Sequence, residues 1–518
     1  MNAPAIVSAG PISVGRRSHH PLLAVLAVLL GAYMTNFNVR LFAVGLSDLR
    51  GAFGLGVDEG AWLSTAAQAP QILIAPAVAW LVTVFGVRRV LVGPALGYAA
   101  LCLMIPVMPP HWLLPAHMLH GLLLGLFVPA TLTVVLRNLP MKWWVAGIAV
   151  YVFRQGFALN SGVELVGLYT GQMGWQWLYW QDVLLAPLMA LCAWMGAPSQ
   201  PADKALLEDA DWGGMLLFGV SLCLIYVGLD QGNRLDWLAS GLVVSLLAGG
   251  VLLLALFFVN EAVVPQPWAS AKVVLSRNIG LLLLASLFYT FTSVSNSTLI
   301  PNFLANVAHL RPEQSGSLLL AWGALPLFIF MPLAVWLLGR VDGRYMIIAG
   351  LSAFALSALL GTRLTNEWRA GDFAPIVLLQ AFGHCFTFLP IVILALANSN
   401  PARATAVSAY IQVLRVDGVV LATALTSTFL RVSEQVHSNL TGQHLRLDDP
   451  AVQSTLAALS HRLGDGARAV ATLSANVQRE ATVLSYIDGF WLCFAMALVA
   501  LLLVAGVAKA PKGPLTPG

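Results

Sequence analysis

Long apolar runs recur along almost the whole chain, and they constrain the fold more than any other feature of the sequence. Of the 518 residues, 58% are hydrophobic and only 10% are charged, and the mean hydropathy is +0.81. A soluble chain carries charge on about a quarter of its residues, so this sequence lacks the charge that a water-facing surface requires. We therefore expect a surface that faces lipid, with helices as the spanning elements.

A spanning helix needs about 20 predominantly apolar residues, and about 14 segments meet this requirement. In chain order, the predicted spans are 22–46, 61–85, 88–108, 112–136, 145–169, 176–196, 212–230, 237–259, 279–305, 315–338, 344–364, 373–397, 404–431 and 484–508. The first run follows Arg16 and Arg17, as a signal peptide would. It is long enough to span and shows no small-residue cleavage site, so we assign it as helix 1.

The spans group as six, two and six, which predicts an all-α polytopic membrane protein of two six-helix bundles plus two inserted helices. The predicted parts are a tail 1–21, an N-terminal bundle 22–196, a linker with the inserted pair 197–260, a C-terminal bundle 279–508 and a tail 509–518. With a cytoplasmic N-terminus, every lysine falls on the cytoplasmic side, as expected for a bacterial inner-membrane protein. Both termini are therefore predicted to be cytoplasmic, and the net charge of +4 needs no nucleic-acid partner.

One long polar segment, residues 432–483, interrupts the C-terminal bundle and is predicted to be periplasmic. Its apolar residues recur at helical spacing, which indicates an amphipathic helical pair. Such a pair either docks a partner or merely connects two spans, and the sequence leaves both interpretations open.

Short motifs follow one another in a characteristic order from about residue 20 to residue 508. They are Glu59-Gly60-Ala61-Trp62, Trp175-Gln176-Trp177, Asp211-Trp212-Gly213-Gly214, Leu229-Asp230-Gln231-Gly232, Asp236-Trp237, Ser276-Arg277-Asn278, Leu338-Gly339-Arg340, Arg415-Val416-Asp417-Gly418 and Tyr486-Ile487-Asp488-Gly489-Phe490. In order and spacing the chain resembles the 14-helix drug:proton antiporters of the major facilitator superfamily, of the EmrB/QacA type and nearer the EmrB branch. The resemblance implies the major facilitator fold and exchange of protons for a small-molecule substrate, either a lipophilic drug or a weak acid. It also implies a periplasmic adaptor (EmrA-like) and an outer-membrane channel as partners.

Several positions depart from that family's pattern. The acidic residue usual in helix 1 is replaced by Asn38, and the arginine usual in helix 4 by His117. In helix 5 the usual Gly-Pro is Gly162-Val163, followed by Glu164. The proton route therefore has to use other residues.

Charged residues inside a membrane span are costly and are candidates for coupling. Those in the predicted spans are Arg40, Arg154, Glu164, Arg415 and Asp417. We predict that Glu164 carries the proton, with Arg40 as its cross-helix partner and Asp417 as the second candidate, because a buried carboxyl beside a cation can alternate between charge states. The alternative for each is a structural ion pair. His117 is a further coupling candidate, and with His120 it shares one helix face; a satisfied buried histidine is the alternative.

Polar and aromatic side chains of several helices are predicted to line a substrate cavity. They are Phe37, Asn38, Gln68, Arg154, Asn160, Tyr289, Ser293, Asn296, Gln380 and His384. Hydroxyls of helix 9 are satisfied either by backbone carbonyls or by cavity water, and each aromatic is either ligand-facing or simply packed. Arginines outnumber acids among the membrane charges that we identify, which favours anionic substrates.

The sequence contains no nucleotide-binding loop, no hydrolase motif and no pair of closely spaced cysteines, so no enzyme, cofactor or metal site is predicted. The predicted function is proton-coupled efflux of lipophilic drugs or organic compounds, including anionic aromatic ones. One alternative is a dedicated exporter of one metabolite or organic acid with the same fold. A second is a receptor or scaffold that has lost transport.

Overall fold

The structure is a computed structural model of the chain. It describes residues 20–127, 134–135, 139–199, 201–208, 210–265, 268–269, 271–399, 404–446, 448–509 and 511. The tail 1–19 and the side chain of Arg415 lie outside the description. The described residues are predominantly helical and include no strand.

The N-terminal bundle and the inserted pair account for the first ten helices. They are α1 Pro21–Val44, α2 Leu46–Phe53, α3 Val57–Phe85, α4 Val87–Met104, α5 Pro110–Gly125, α6 Trp144–Leu168, α7 Trp177–Gly196, α8 Lys204–Glu208, α9 Trp212–Gly232 and α10 Gly241–Val263. A single residue, Gly86, joins α3 to α4 with φ of 80°, a backbone region that only glycine enters readily. A π-helical turn, Tyr169–Met173, follows α6.

The C-terminal bundle contains the remaining helices. They are α11 Arg277–Val294, α12 Ile300–Asn306, α13 Pro312–Leu318, α14 Leu327–Leu338, α15 Gly343–Gly361, α16 Ala374–Ala397, α17 Ala404–His444, α18 Pro450–Leu463 and α19 Gly466–Ala505. Two further π turns, Ser295–Leu299 and Leu319–Ala324, join α11 to α12 and α13 to α14. Each joined pair is therefore one continuous span with a wide turn in its middle.

Ten helices in the described part of the chain are long and apolar enough to cross a membrane, and each matches a predicted span. The other four predicted spans, 61–85, 112–136, 145–169 and 404–431, overlap α3, α5, α6 and α17. The all-α polytopic fold is thus confirmed, and the total of 14 spans stays a prediction.

Within the N-terminal bundle α1 packs on α6 and α7, α3 on α5, and α4 on α7. In the C-terminal bundle α19 packs on α11, α15 and α17, and α15 packs on α16. One buried apolar cluster lies within the N-terminal bundle, and a second joins the C-terminal bundle to the inserted pair and to parts of α3 and α6.

The inserted pair is attached to both bundles by the turn that joins its helices. Thr65 of α3 donates a hydrogen bond of 2.5 Å to Asp230, and Arg234 forms an ion pair of 2.5 Å with Asp58 at the start of α3. On the other side, Thr428 of α17 donates to Asn233 over 2.9 Å. This turn therefore bridges α3 and α17 at one end of the molecule.

The polar segment 432–483 is mainly helical. α17 continues through it to His444, α18 forms a separate helix, and α19 begins at Gly466. At 1.5 Å per residue, α17 and α19 are each about 60 Å long, about twice the thickness of the hydrocarbon core. The two helices therefore extend well beyond their spans, tied together by the contact of His437 with Asp488 over 2.8 Å.

The turn before α15 is held by Asp342. Its Oδ1 accepts the backbone N–H of Arg344 over 3.0 Å, and its Oδ2 lies 2.9 Å from the Arg344 guanidinium. Burial alone would raise the pKa of Asp342, but the hydrogen bonds and charge of Arg344 outweigh it and hold the pKa below its usual value.

Candidate functional site: polar contacts between the bundles

Helix α6 forms the main contact between the two bundles. It packs against α13, the π turn Leu319–Ala324, α14 and α16 of the opposite bundle, a contact that we call the seam. Two glycines make it close: a Cβ at Gly316 would lie 2.6 Å from the Cα of Glu164, and one at Gly323 would lie 2.6 Å from Oδ1 of Asn160. Because glycine has no side chain, the helices approach to backbone contact there.

His384 crosses the seam from α16 to α6. Its Nε2 lies 3.1 Å from the carbonyl oxygen of Val152, and its Nδ1 lies 2.6 Å from the hydroxyl of Tyr289. A carbonyl can only accept, so Nε2 carries the proton and the neutral ring accepts from Tyr289 at Nδ1. Gly156 leaves the space for this ring, since a Cβ there would lie 2.7 Å from its Cδ2. His384 and Tyr289, both predicted cavity residues, are therefore joined at the seam.

Two predicted asparagines also meet across the seam. Asn296, in the π turn of the C-terminal bundle, donates to Oδ1 of Asn160 over 2.8 Å. Asn160 in turn donates to the carbonyl of Gly156 over 2.8 Å. A buried amide pair of this kind holds two helices in one register while the bundles are in contact.

Arg40 reaches from α1 to the same place. Its Nε donates to the carbonyl of Leu159 over 2.9 Å, and its Nη1 donates to the carbonyl of Ser297 over 3.0 Å. Ser297 lies within the π turn Ser295–Leu299. Arg40 is 3% exposed and Glu164 is partly buried at the α6–α13 contact, so both predicted residues lie near the seam. Direct pairing of Arg40 with Glu164 stays a prediction.

The second membrane arginine, Arg154, is 5% exposed and lies inside the N-terminal bundle. Its Nη1 donates to the carbonyl of Ala32 over 2.9 Å, and its guanidinium carbon lies 4.7 Å from the centre of the Tyr151 ring.

The other predicted cavity residues are placed around these contacts. Gln380 donates to the hydroxyls of Ser295 and, over 3.1 Å, Ser357, inside the C-terminal bundle. Phe37 and Asn38 are buried on α1, whereas Gln68 is partly exposed on α3. Ser293 donates to the carbonyl of Thr290 over 2.8 Å.

The other hydroxyls of α11 and its π turn, which form predicted helix 9, largely follow the same pattern as Ser293. Thr290, Thr292 and Ser295 each donate to a carbonyl three residues earlier. Of the two interpretations that the sequence left open, hydrogen bonding to backbone carbonyls therefore describes these hydroxyls. The contacts between helices are made instead by the side-chain amides of Asn296 and Gln380.

Two coupling candidates lie away from the seam. Asp417 on α17 is close enough to Cys223 and Tyr226 of α9 to act on them electrostatically, so it faces the inserted pair. His117 lies in the core of the N-terminal bundle, where its Nδ1 is 2.7 Å from the Leu113 carbonyl and its Nε2 is 2.8 Å from the Tyr179 hydroxyl.

Three acids on membrane helices were not among the site residues predicted from the sequence: Asp182 on α7, Asp230 on α9 and Glu261 on α10. Asp182 is 2% exposed and Glu261 is 6% exposed. Among the membrane charges whose side chains the structure describes, acids therefore outnumber arginines, so the arginine surplus inferred from the sequence is not found among these residues. Asp182 is a single carboxyl in a strongly apolar run, which was the available signal for it, whereas Asp230 stands in the motif Leu229-Asp230-Gln231-Gly232 and Glu261 follows the predicted span 237–259.

The helices, the two bundles and the polar seam define a membrane transporter of the two-bundle class. A profile described as "Major Facilitator Superfamily" matches residues 25–423, and the chain belongs to that superfamily. It is a multi-pass membrane protein.

Relatives of known name match over nearly the whole length of this chain. One is the "Fatty acid resistance protein FarB" of Neisseria gonorrhoeae, 20% identical over 488 residues, covering 94% of this chain and 96% of the relative. Another is the "Multidrug export protein EmrB" of Haemophilus influenzae, 22% identical over 512 residues, with 95% and 96% covered. These findings support the resemblance to the EmrB branch.

Solved structures support the fold. An auto-inhibited POT family peptide transporter superposes with a TM-score of 0.56 at 15% identity, covering 95% of this chain and 99% of that one. The proton:xylose symporter XylE superposes with a TM-score of 0.53 at 13% identity, covering 95% and 96%. At such identities the likeness concerns the fold alone.

Proposed function

We propose that this protein exports lipophilic and amphipathic compounds, organic anions among them, in exchange for protons across the bacterial inner membrane. Relatives that cover nearly the whole chain are named for multidrug export and fatty acid resistance, and this observation carries the proposal. Both termini would be cytoplasmic, as the lysine distribution indicates.

The seam supports an anionic component in the substrate. Arg40 is almost completely buried there, and none of the ion pairs among the described residues includes it. Its carbonyl partners leave a net positive charge in a low-dielectric region, where a carboxylate is attracted strongly. When the bundles separate, the Nη1 donor that now binds the Ser297 carbonyl becomes available to a ligand.

Alternating access supplies the coupling step in this proposal. Glu164 lies on α6 where that helix meets Gly316, so separation of the bundles changes the surroundings of its carboxyl. A carboxyl that is more hydrated in one state than in the other binds its proton with different affinity in the two states. Proton binding and bundle movement are thereby linked.

The helical extensions support a periplasmic adaptor as partner. Val432, Val436 and Leu440 on α17 are each about half exposed and repeat every four residues, so they form one apolar stripe. A stripe of this kind suits a helical partner that packs along α17. An outer-membrane channel would complete the export route.

Transport in proteoliposomes with an imposed pH gradient tests the proposal. We expect gradient-driven flux of oleate and of naphthalene carboxylate, with weaker flux of the cation ethidium. Arg40→Gln should lower anion flux more than cation flux, and Arg462→Gln, an exposed arginine on α18, is the matched control. Glu164→Gln should abolish the response to the gradient.

The outcomes separate the competing functions. Flux of one compound only would favour a dedicated exporter, and no flux under any gradient would favour a receptor or scaffold. If Glu164→Gln retains wild-type gradient-driven flux, the assignment of Glu164 is wrong. If the Arg40 and Arg462 variants behave alike, the anionic preference has another origin.

A further inference from the structure

A group of buried titratable side chains lies in the core of the N-terminal bundle, away from the seam. It contains Tyr98 of α4, His117 and His120 of α5, and Tyr179 and Asp182 of α7, which we call the Asp182 cluster. All five side chains are at most 2% exposed. Neither the seam contacts nor the roles proposed for Arg40 and Glu164 use it.

Among the described residues, Asp182 has one hydrogen-bond partner and no counter-charge. The Tyr98 hydroxyl donates to its Oδ2 over 2.7 Å. Its Oδ1 is buried without a partner, and Asp182 is in none of the ion pairs among the described residues. An ionised carboxyl in such surroundings costs several kcal/mol, and one hydroxyl donor does not offset this. Binding of a proton removes the negative charge of Asp182, and no other cation is needed to do so.

The cluster also contains two histidines, which are its bases. Since the Leu113 carbonyl can only accept, Nδ1 of neutral His117 carries the proton, and Nε2 accepts from the Tyr179 hydroxyl. The His120 ring lies 4.8 Å from the Tyr98 ring and 6.0 Å from the His117 ring, centre to centre. Its Nδ1 is buried without a partner in the described part of the chain. The imidazoles therefore contact the tyrosines of the cluster: His120 packs on the Tyr98 ring, whose hydroxyl donates to Asp182, and His117 accepts from Tyr179.

The groups that face Asp182 come from every element packed around it. Tyr33 comes from α1, Tyr98 and Cys102 from α4, Tyr169 from the π turn after α6, and Gln181 is its neighbour on α7. With His117 and His120 these are neutral or weakly basic side chains, and the described residues place no lysine or arginine in an ion pair there.

The cluster is mechanically connected to the seam helix. Tyr169 follows directly after α6 and donates to Gln181 over 3.1 Å, next to Asp182. The Tyr169 ring also meets Phe37 of α1 at 6.2 Å, three residues before Arg40. Movement of α1 and α6 when the seam opens would therefore change the surroundings of Asp182.

We propose that Asp182 is a second proton-binding site, held by Tyr98 in a buried cluster with His117 and His120, which takes up and releases a proton as the bundles move. The proton bound here is distinct from the one assigned to Glu164. The part that concerns the transport cycle rests on the proposed function, whereas proton binding by Asp182 does not.

Infrared difference spectroscopy of the purified full chain, titrated from mildly acidic to mildly alkaline pH, tests proton binding without a substrate. We expect a carbonyl band of a protonated carboxyl that disappears in Asp182→Asn and persists in Glu164→Gln. In Tyr98→Phe the same band should shift to higher frequency, because the hydrogen bond to the carboxyl is lost. Identical wild-type and Asp182→Asn spectra would overturn the proposal, and if that variant does not fold, an unshifted band in Tyr98→Phe overturns it.

Transport measurements test the link to the cycle. In proteoliposomes with oleate as the probe, Asp182→Asn should lower the ratio of gradient-driven to gradient-free flux about tenfold, with the exposed Asp448→Asn as control. An unchanged ratio would overturn the role in coupling. Absence of gradient-driven flux in the wild type would instead refute the proposed function, and the infrared band would still decide whether Asp182 binds a proton.

Discussion

Substitution of Gly316 by alanine tests the close approach of α6 and α13 at the seam without changing any polar group there. An alanine Cβ would lie 2.6 Å from both Cα and the backbone nitrogen of Glu164, whereas ordinary contacts are 3.4–4 Å. Backbone atoms have no alternative rotamer, so α6 and α13 must separate by roughly 1 Å. Overpacking of this kind costs about 1–3 kcal/mol, and the helical preference for alanine over glycine returns about 1 kcal/mol.

The helical preference acts equally in the open and closed states, so the overpacking loss of about 1–3 kcal/mol alone decides between them. It falls on the closed seam only, because separated bundles have room for the methyl group. Such a loss raises the population of the open seam about 5–150-fold. The assay is the rate of maleimide labelling of Ser297→Cys, at the Arg40 contact, in a background whose native cysteines are replaced by alanine. In Gly316→Ala this rate should rise by the same factor.

Gly93→Ala is the matched control, because Gly93 is an exposed glycine inside α4 and nothing lies within 4 Å of the position that its Cβ would occupy. It should leave the labelling rate unchanged and, if anything, stabilise its helix. The reasoning is refuted if Gly316→Ala labels no faster than its parent, or if Gly93→Ala accelerates labelling equally.

Three further perturbations give distinct results. His384→Phe keeps a planar ring but removes the side-chain donor to the Val152 carbonyl and the acceptor for the Tyr289 hydroxyl, so thermal unfolding should show a loss of about 1–3 kcal/mol; an unchanged midpoint would contradict these contacts. Arg234→Gln breaks the partly exposed pair with Asp58 and should cost at most about 1 kcal/mol, seen as a small shift in the same melt. Asp342→Asn should reduce the loss of stability at acid pH. Because the pKa of Asp342 is lower in the folded than in the unfolded protein, its carboxylate stabilises the fold above the unfolded pKa, and this contribution is lost as pH falls through the folded pKa. An equal loss of stability on acidification in wild type and variant would refute this.

The missed acids show what the mean hydropathy of a segment can and cannot predict. Asp182 lies in Trp177–Gly196, a helix whose mean apolarity hides one carboxyl. A window average identifies the span and cannot tell whether that carboxyl faces lipid, a cavity or a tyrosine. An arginine surplus was inferred because Asp182 and Asp230, which both lie in predicted spans, were not counted among the membrane charges.

Asn160, Asn296, Tyr289 and His384 show the opposite case, since the sequence identified each as a polar residue inside a span. It did not pair them, because Asn296 and Asn160 are 136 residues apart, and His384 and Val152 are 232 apart. Their contacts depend on the rotation of each helix about its axis and on the glycines that bring α6 close to the opposite bundle. Neither quantity is contained in the local pattern.

Apolar run length was enough to predict that this chain lies in a membrane, that its elements are helices and where most of them begin and end. These properties are local, because every backbone polar group of a spanning helix must be bonded within its own segment. Packing in three dimensions was needed to show that Arg40 meets carbonyls at the seam, that Asp417 faces the inserted pair and that Asp182 is buried with Tyr98. Lipid accepts almost any apolar face of a helix, so the buried polar contacts are selected by packing between helices that are distant in sequence.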